Sequence, residues 1–384
     1  LIGEQITLVA MSDWIIVGSG LAGKLSALYL TYLNPRLKII LIEQQSQLSE
    51  SHTWSCFSSD IPEILKSFSN TLPWIVWDQH EVHFPHYHRT LSIGYQSLKE
   101  KQLNQMLLAC SNIEIQFNGL AEKEQTQPSK LKELVVRISK ETKTFVASNI
   151  LWCTGWNFSP HNRQGYQKFV GVEFVTSKPH GIKNPILMDA NIEQKDGYRF
   201  FYVLPFSETE LLIEDTYYSE NSHLDIAQIK KEISEYLETK WNLFGHEVYQ
   251  EVGVLPIPLS HQSPTQNHKA LGVAGHQYHP VTGYSLPSIF KNLNNLQRLK
   301  AHPPTNQSLY LLLNRFLFLA APPQARWRVF SFFYRHSDKL IQRFYSGQMT
   351  KSDWLKFFLK WPPPVKTLKA LCIAWRFVKE MTFK

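Results

Sequence analysis

The chain is short of several things, and each shortage excludes a class of protein. It has only four cysteines in 384 residues: Cys56, Cys110, Cys153 and Cys372. They lie far apart and form no CxxC pair, which argues against a disulfide framework and against a thiolate zinc site. No apolar run reaches the roughly 20 residues that span a bilayer as a helix. The nearest, "LYLLLNRFLFLAAPP", is broken by Asn314–Arg315 and stopped by Pro322–Pro323. It reads either as a buried helix or as a segment that dips into a membrane. Residues 1–11 lack the basic start, apolar block and small-residue cleavage site of a signal peptide. Met11 reads as the natural start, with the first ten residues as an extension. There is no low-complexity tract and no internal repeat. What remains is 43% apolar and 19% charged, a globular composition with room for one large domain or two intertwined ones.

Charge is unevenly spread. From Ala325 to Lys384 there are 13 Lys or Arg against 3 Asp or Glu, more than the whole chain's surplus of +8. The same stretch carries 14 aromatics. Basic residues mixed with aromatics suit a nucleic acid or a membrane surface, and composition alone does not choose.

The folded chain opens on "DWIIVGSGLAGKLSALYL". Asp13–Val17 predicts a strand, Gly18-x-Gly20-x-x-Gly23 a tight turn, and the following residues a helix to about Leu33. "LKIILIE" predicts the next strand and ends on Glu43. Strand, glycine turn, helix and terminal acid together form the dinucleotide-binding fingerprint. Gly18 permits the turn, Gly20 lets backbone approach a pyrophosphate, and Gly23 lets helix pack on strand. The helix N-terminus offers N–H groups and partial positive charge to the phosphates. Glu43 would accept hydrogen bonds from the adenosine ribose. FAD and NAD share this pattern, and two later segments favour FAD. "NILWCTGW" is a strand ending in Thr154–Gly155, where flavoproteins of this type return to the cofactor. "LGVAGHQYHPVTGYSLP" resembles the segment that holds the ribitol and flavin ring, with Gly275, Pro280 and Gly283. His276 stands where such proteins usually carry an acid.

Between these anchors the chain leaves the nucleotide domain and returns, so the domains interleave. "GYRFFYVLPFSETELLIEDTYY" predicts a hairpin of Tyr198–Pro205 and Leu211–Thr216. Its second strand sets Glu214 beside Asp215. Side chains of a strand alternate faces, so Leu211, Ile213 and Asp215 share one side and Leu212, Glu214 and Thr216 the other. The two acids therefore do not form a dyad. Either one points into an apolar pocket, where poor solvation raises its pKa and keeps it protonated, or the strand end emerges and both are hydrated. "HEVHFPHYH" places His80, His83, His86 and His88 close together. Read as one extended run it puts His83 opposite His86 and His88, with no carboxylate in register, so no metal site is expected.

The chain resembles the bacterial lycopene β-cyclase family, a branch of the FAD-dependent hydroxylase-like superfamily. The resemblance runs from Asp13 to about Val365. It rests on "HTWS" (His52–Ser55), "PHGIKNPILMDA" (Pro179–Ala190), "GYRFFYVLPFSETELLIEDT" (Gly197–Thr216), "HPVTGYSLP" (His279–Pro287) and "NRFLFLAAPPQARWRVF" (Asn314–Phe330). One departure is Ser49–Glu50–Ser51, where the family usually has glycines. The resemblance implies an α/β fold: a Rossmann-type FAD-binding domain (residues 12–60, 90–158 and 265–300) interleaved with an antiparallel-sheet substrate domain (61–89 and 159–264). A helical, membrane-associating C-terminal region (301–384) follows. It implies cyclisation of the ψ-ends of lycopene to β-rings without net redox change, with reduced FAD as cofactor and NAD(P)H as its reductant. The family's acid/base falls on Glu214. Asp189, Asp215, Trp54, Tyr198, Tyr202, Tyr217 and Tyr284 become candidates for substrate contact or cation stabilisation. A bilayer-borne hydrocarbon substrate turns the basic aromatic tail into a membrane face rather than a nucleic-acid site. Phe332, Phe333, Trp354, Phe357, Phe358 and Trp361, interleaved with Lys351, Lys356 and Lys360, would form that face. The protein would then be peripheral, on the cytoplasmic side. Two other readings use the same fold: an FAD-dependent monooxygenase or prenyl-chain reductase, and a non-catalytic carotenoid-binding flavoprotein.

Overall fold

The computed structural model describes residues 7–155, 164–261, 268–299 and 307–359. Its first sheet has six strands: β1 (Thr7–Val17), β2 (Ile39–Ile42), β8 (Ile113–Gln116), β9 (Gly119–Thr126), β10 (Lys132–Ile138) and β11 (Glu141–Trp152). Their order is β8-β2-β1-β11-β10-β9. The strands β8, β2, β1 and β11 run parallel, and β9 to β11 form an antiparallel meander. All four residues of Ile39–Ile42 are buried, as a parallel strand covered on both faces requires. Helix α1 (Leu21–Leu33) packs against α3 (Glu100–Leu108) and α5 (Leu286–Leu293), burying Leu25, Leu103, Leu107 and Ile289 in one apolar layer.

A second sheet has seven strands: β5 (His80–Phe84), β6 (Tyr87–Leu91), β12 (Gln164–Thr176), β13 (Ile186–Asp189), β14 (Tyr198–Pro205), β15 (Glu210–Ser219) and β16 (Gly245–Pro258). They lie in the order β16-β12-β15-β14-β13-β5-β6, antiparallel except where β13 meets β5. Helix α4 (Ile226–Trp241) covers one face through Ile229, Ile233 and Leu237. Asp225 caps its start by accepting the Gln228 N–H, and Asn242 ends it in the left-handed region at φ 51°. A three-stranded sheet is formed by β3 (Thr53–Phe57), β7 (Tyr95–Lys99) and β4 (Ile75–Trp77), with the single-turn α2 (Lys66–Ser69) between β3 and β4 and the β5–β6 hairpin between β4 and β7.

The other face of the seven-stranded sheet is covered by α6 (Gln307–Arg315), α7 (Trp327–Phe333), α8 (Asp338–Tyr345) and α9 (Lys351–Leu359). This decides one open reading and corrects one expectation. The "LYLLLNRFLFLA" segment is a buried helix: Tyr310, Leu311, Leu313 and Leu317 are all in the core. Phe333, Trp354 and Phe357 are also buried, and Phe332 and Phe358 are half-buried, so these aromatics hold the helices to the sheet instead of forming an outward face. Lys360 and Trp361 lie outside the described residues. Arg326 fixes the helical layer from within. It is fully buried and donates to the carbonyls of Leu317, Phe318 and Tyr218 and to Glu220. Among the described residues, no helix is long and apolar enough to cross a membrane.

Candidate functional site

The glycine turn after β1 opens onto a cavity of about 560 Å³. Gly18, Gly20, Glu43, Thr154, Gly155 and Gly283 all line it. Gly18 sits at φ +98°, and a Cβ there would lie 2.8 Å from the Cys153 carbonyl oxygen. At Gly20 and Gly155 a Cβ would meet nothing within 4 Å, so both point into free space. Gly20 is the N-cap of α1, which aims the helix N-terminus into the cavity. Gly23 is set back from it; its Cβ would collide with the Gly18 carbonyl, so its part is helix–strand packing. Glu43 is held by the N–H groups of Ser19 (3.0 Å) and Gln45 (2.8 Å). Two of the expected residues are set back. Neither Gly275 nor Pro280 lines the cavity: Gly275 packs on the Ala270 carbonyl, and the Pro280 carbonyl accepts from Asn314. The preceding Gly272 and Val273 line it instead.

A second cavity, of about 200 Å³, lies between the seven-stranded sheet and the C-terminal helices. Ser55, Phe169, Leu255 and Tyr284 line both cavities, so the two share a wall. The rest of this chamber is mostly aromatic: Phe57, Tyr95, Phe200, Tyr202, Tyr218, Tyr334 and Tyr345. Tyr202 donates to Ser55 Oγ at 2.9 Å and meets the Tyr95 hydroxyl at 3.0 Å. The hydroxyls of Tyr284 and Thr282 are buried with no hydrogen-bond partner among the described residues. Both residues line the chamber, so they offer polar atoms to whatever enters.

Glu214 lines this chamber and is 9% exposed. The hydrated strand end is therefore excluded. Strand pairing sets Tyr202, Glu214, Gly171 and Glu251 side by side across four strands. Burial first, then the neighbouring Glu251 carboxylate, pushes Glu214 well above the ordinary carboxyl range. Glu251 is buried too, and burial pushes it up to about 8 although the Thr53 N–H donates to its Oε2 at 3.0 Å. Glu251 was missed in the sequence. The alternation in "YQEVGVLP" makes it a strand residue, but only the register of β16 on β12 brings it to Glu214.

Asp215 points the other way, as strand alternation requires. Arg199 donates to both of its oxygens at 2.8 and 2.7 Å, and the Tyr217 hydroxyl donates at 2.7 Å. Glu232 on α4 completes this buried network. Asp189 also faces α4, accepting from Tyr236 and paired with Lys240. Asp189, Asp215 and Tyr217 are thus corrected from substrate contacts to ties between sheet and helix. Tyr198 lies on the chamber side but is packed beneath Phe330, with ring centroids 4.4 Å apart, and does not reach the cavity. Trp54 lines the nucleotide cavity and not the chamber.

The histidine run also folds differently from an extended strand. Pro85–His86 forms the tip of a hairpin, with His86 at φ 62°, and His83 faces His88 across it with ring centroids 4.1 Å apart. Glu81 does have the register that the sequence reading denied it. It accepts from His83 at 3.0 Å, and Glu81, His83 and His88 bring ligand atoms within 4.8 Å of one another. The cluster sits at the sheet edge and lines neither cavity.

Residues 13–371 match the family described as lycopene cyclase protein. A lycopene beta-cyclase from Paracoccus sp. (strain N81106 / MBIC 01143) is 34% identical over 374 residues, covering 91% of this chain and 94% of that protein. One from Pantoea ananas is 34% identical over 378 residues, covering 94% and 97%. Among solved structures, a geranylgeranyl bacteriochlorophyll reductase-like protein from Thermoplasma acidophilum superposes with a TM-score of 0.57 at 15% identity, over 95% of this chain and 100% of that one. A flavin-dependent brominase gives 0.58 at 12% identity, over 91% and 97%. At these identities the likenesses show a shared fold.

Proposed function

The chain belongs to the lycopene cyclase family, and from that premise we propose that it closes β-rings on the ψ-ends of lycopene, giving γ-carotene and β-carotene. The observation that carries this reading is a buried carboxyl, Glu214, facing an aromatic chamber that shares a wall with a dinucleotide cavity. The reaction adds a proton to a terminal double bond, lets the next double bond close the ring on the resulting cation, and removes a neighbouring proton. No electrons are gained or lost.

Each step makes a demand that a side chain meets. Glu214 holds the proton, because burial and a second carboxyl keep it in the acid form. The rings of Phe169, Tyr202, Tyr218 and Tyr284 present electron-rich faces to a positive charge. The apolar walls limit water, which would otherwise trap the cation as an alcohol. The residues of the neighbouring cavity suit FAD: Gly18, Gly20 and the α1 N-terminus for the pyrophosphate, Glu43 for the ribose, Thr154, Gly155 and Gly283 along its length. Bound there in reduced form, with NAD(P)H as its reductant, FAD would supply negative charge that favours a cation in the chamber. The hydrocarbon substrate argues for a peripheral position on the cytoplasmic face of a membrane. Support comes from the basic C-terminal composition and from Leu355, 60% exposed on α9 beside Lys356.

The test is anaerobic incubation with lycopene, FAD and NADPH in lipid, followed by chromatography and product mass. Cyclisation leaves the mass unchanged. A product of altered mass would instead assign a monooxygenase or reductase, and no conversion would assign a binding protein. Glu214→Gln should retain FAD and lose turnover; a variant that cyclises at the normal rate refutes the acid assignment.

A further inference from the structure

Glu251 enters the reading above only as a neighbouring acid, yet the fold goes to some length to bury it. It is 3% exposed, at the centre of β16. Gly171 stands between it and Glu214 on the intervening strand. A Cβ on Gly171 would lie 2.8 Å from Cγ of Glu214 and 2.8 Å from Cγ of Glu251. The two side chains therefore converge on the space that a side chain at 171 would fill. Carboxyls that converge in a poorly solvated place cannot both ionise cheaply, so the pair holds at least one proton and titrates as a unit.

The two members are not equivalent. Glu251 accepts the Thr53 N–H at the head of the "TWS" strand, a hydrogen bond that favours its ionised form. Glu214 faces the chamber and has no such donor among the described residues. We infer that Glu251 is the positioning residue of the acid site: seated on the Thr53 N–H, it is the first of the pair to ionise and confines the last proton to Glu214. This rests on Glu214 being the acid. It also accounts for the last step of the reaction. Where Glu251 is ionised, donation of the Glu214 proton to the substrate leaves two carboxylates face to face, and the proton lost from the ring relieves that repulsion by restoring the pair.

Other charged or titratable groups around the pair are Glu173 with its partner Lys99, Glu100 with its partner Lys24, Tyr249, Tyr202 and His52. The two cations among these, Lys24 and Lys99, are each bound to another carboxylate.

The experiment is an infrared difference titration of carboxyl C=O stretches on the FAD-loaded enzyme, with anaerobic turnover measured across the same pH range. Wild type should show a two-step carboxyl titration whose upper step matches the alkaline loss of activity. In Glu251→Gln the Glu214 step and the alkaline limb should both fall by roughly one pH unit or more. In Glu214→Gln the remaining Glu251 should titrate in a single step below the wild-type upper step. An upper step unmoved in Glu251→Gln overturns the inference; should that variant fail to fold, a Glu251 that titrates in Glu214→Gln well above the wild-type lower step overturns it. Normal turnover in Glu214→Gln instead overturns the acid assignment, so the two failures are distinguishable.

Discussion

Replacing Gly171 by alanine adds one methyl group at the point where both carboxyl side chains meet. Its φ is not in the left-handed region, so the backbone accepts alanine without strain. The cost is steric. The new Cβ would lie 2.8 Å from Cγ of Glu214 and from Cγ of Glu251, closer than non-bonded carbons approach, so both must withdraw. Overpacking of this kind costs about 1–3 kcal/mol. Loss of glycine's freedom in the unfolded chain returns roughly 0.4–1 kcal/mol. The net expectation is a loss of about 1–2 kcal/mol, with the protein still folded. Turnover should suffer more than stability, because Glu214 would be displaced relative to the substrate end. A misplacement of about 1 Å can cost a hundredfold. Flavin content, thermal melting followed by flavin fluorescence, and anaerobic cyclisation should be measured together. Gly171→Ala with full flavin, reduced melting temperature and turnover at least tenfold down is the expected result. Wild-type melting and wild-type turnover together would refute the convergence of the two carboxyls at this point.

Gly20→Ala tests the nucleotide cavity: nothing lies within 4 Å of its Cβ, so melting of the flavin-free protein should be unchanged while FAD binding weakens at least about tenfold, read by fluorescence titration. Asp215→Ala leaves Arg199 short of its bidentate partner and should cost about 3 kcal/mol in denaturant unfolding, while turnover per folded, flavin-loaded enzyme stays normal. The pH dependence of stability has a definite sign. Glu251 rises from an ordinary 4.5 to about 8 in the folded protein, so its contribution is fully present below about pH 4.5 and is lost as pH climbs through 8. Glu251→Gln, which never ionises, should therefore melt higher relative to wild type at about pH 9 than at about pH 5.

Much of the site could be read from residues that act through local geometry. The glycine turn after β1 and the acid after β2 follow from backbone rules. So does the opposite orientation of Glu214 and Asp215, because pleat alternation is fixed by the strand itself. What escaped the sequence depends on register between strands distant in the chain. Glu214, Gly171 and Glu251 come from three strands, and nothing local tells that they align. The histidine run was misread for a related reason: the turn at Pro85–His86 converts one strand into two and turns sequence neighbours into cross-strand partners. The aromatic tail shows the limit of composition. Phe333, Trp354 and Phe357 would suit an interface or a core equally well, and the packing of α7 and α9 on the sheet decides for the core.

The adjacent acids of "LIEDT" show how one strand can carry a carboxyl tied to a cation and one that favours its proton without confusing them. Asp215 and Glu214 are both buried, so solvent does not separate their roles. Partners do. Asp215 accepts two hydrogen bonds from a guanidinium and one from a tyrosine, each of which favours the carboxylate. Burial still raises it, but those donors oppose the rise. Glu214 faces a wall of aromatic rings and a second acid, and both effects favour the proton. The sheet supplies this contrast because its two faces are covered by different layers: α4, rich in charge, on one side, and the aromatic C-terminal helices on the other. Exchanging Glu214 and Asp215 would not alter the net charge or the strand. It would leave a shorter acid in the chamber and a longer one crowding Arg199, so the acid role proposed for position 214 depends on the order of these two residues and not merely on their presence.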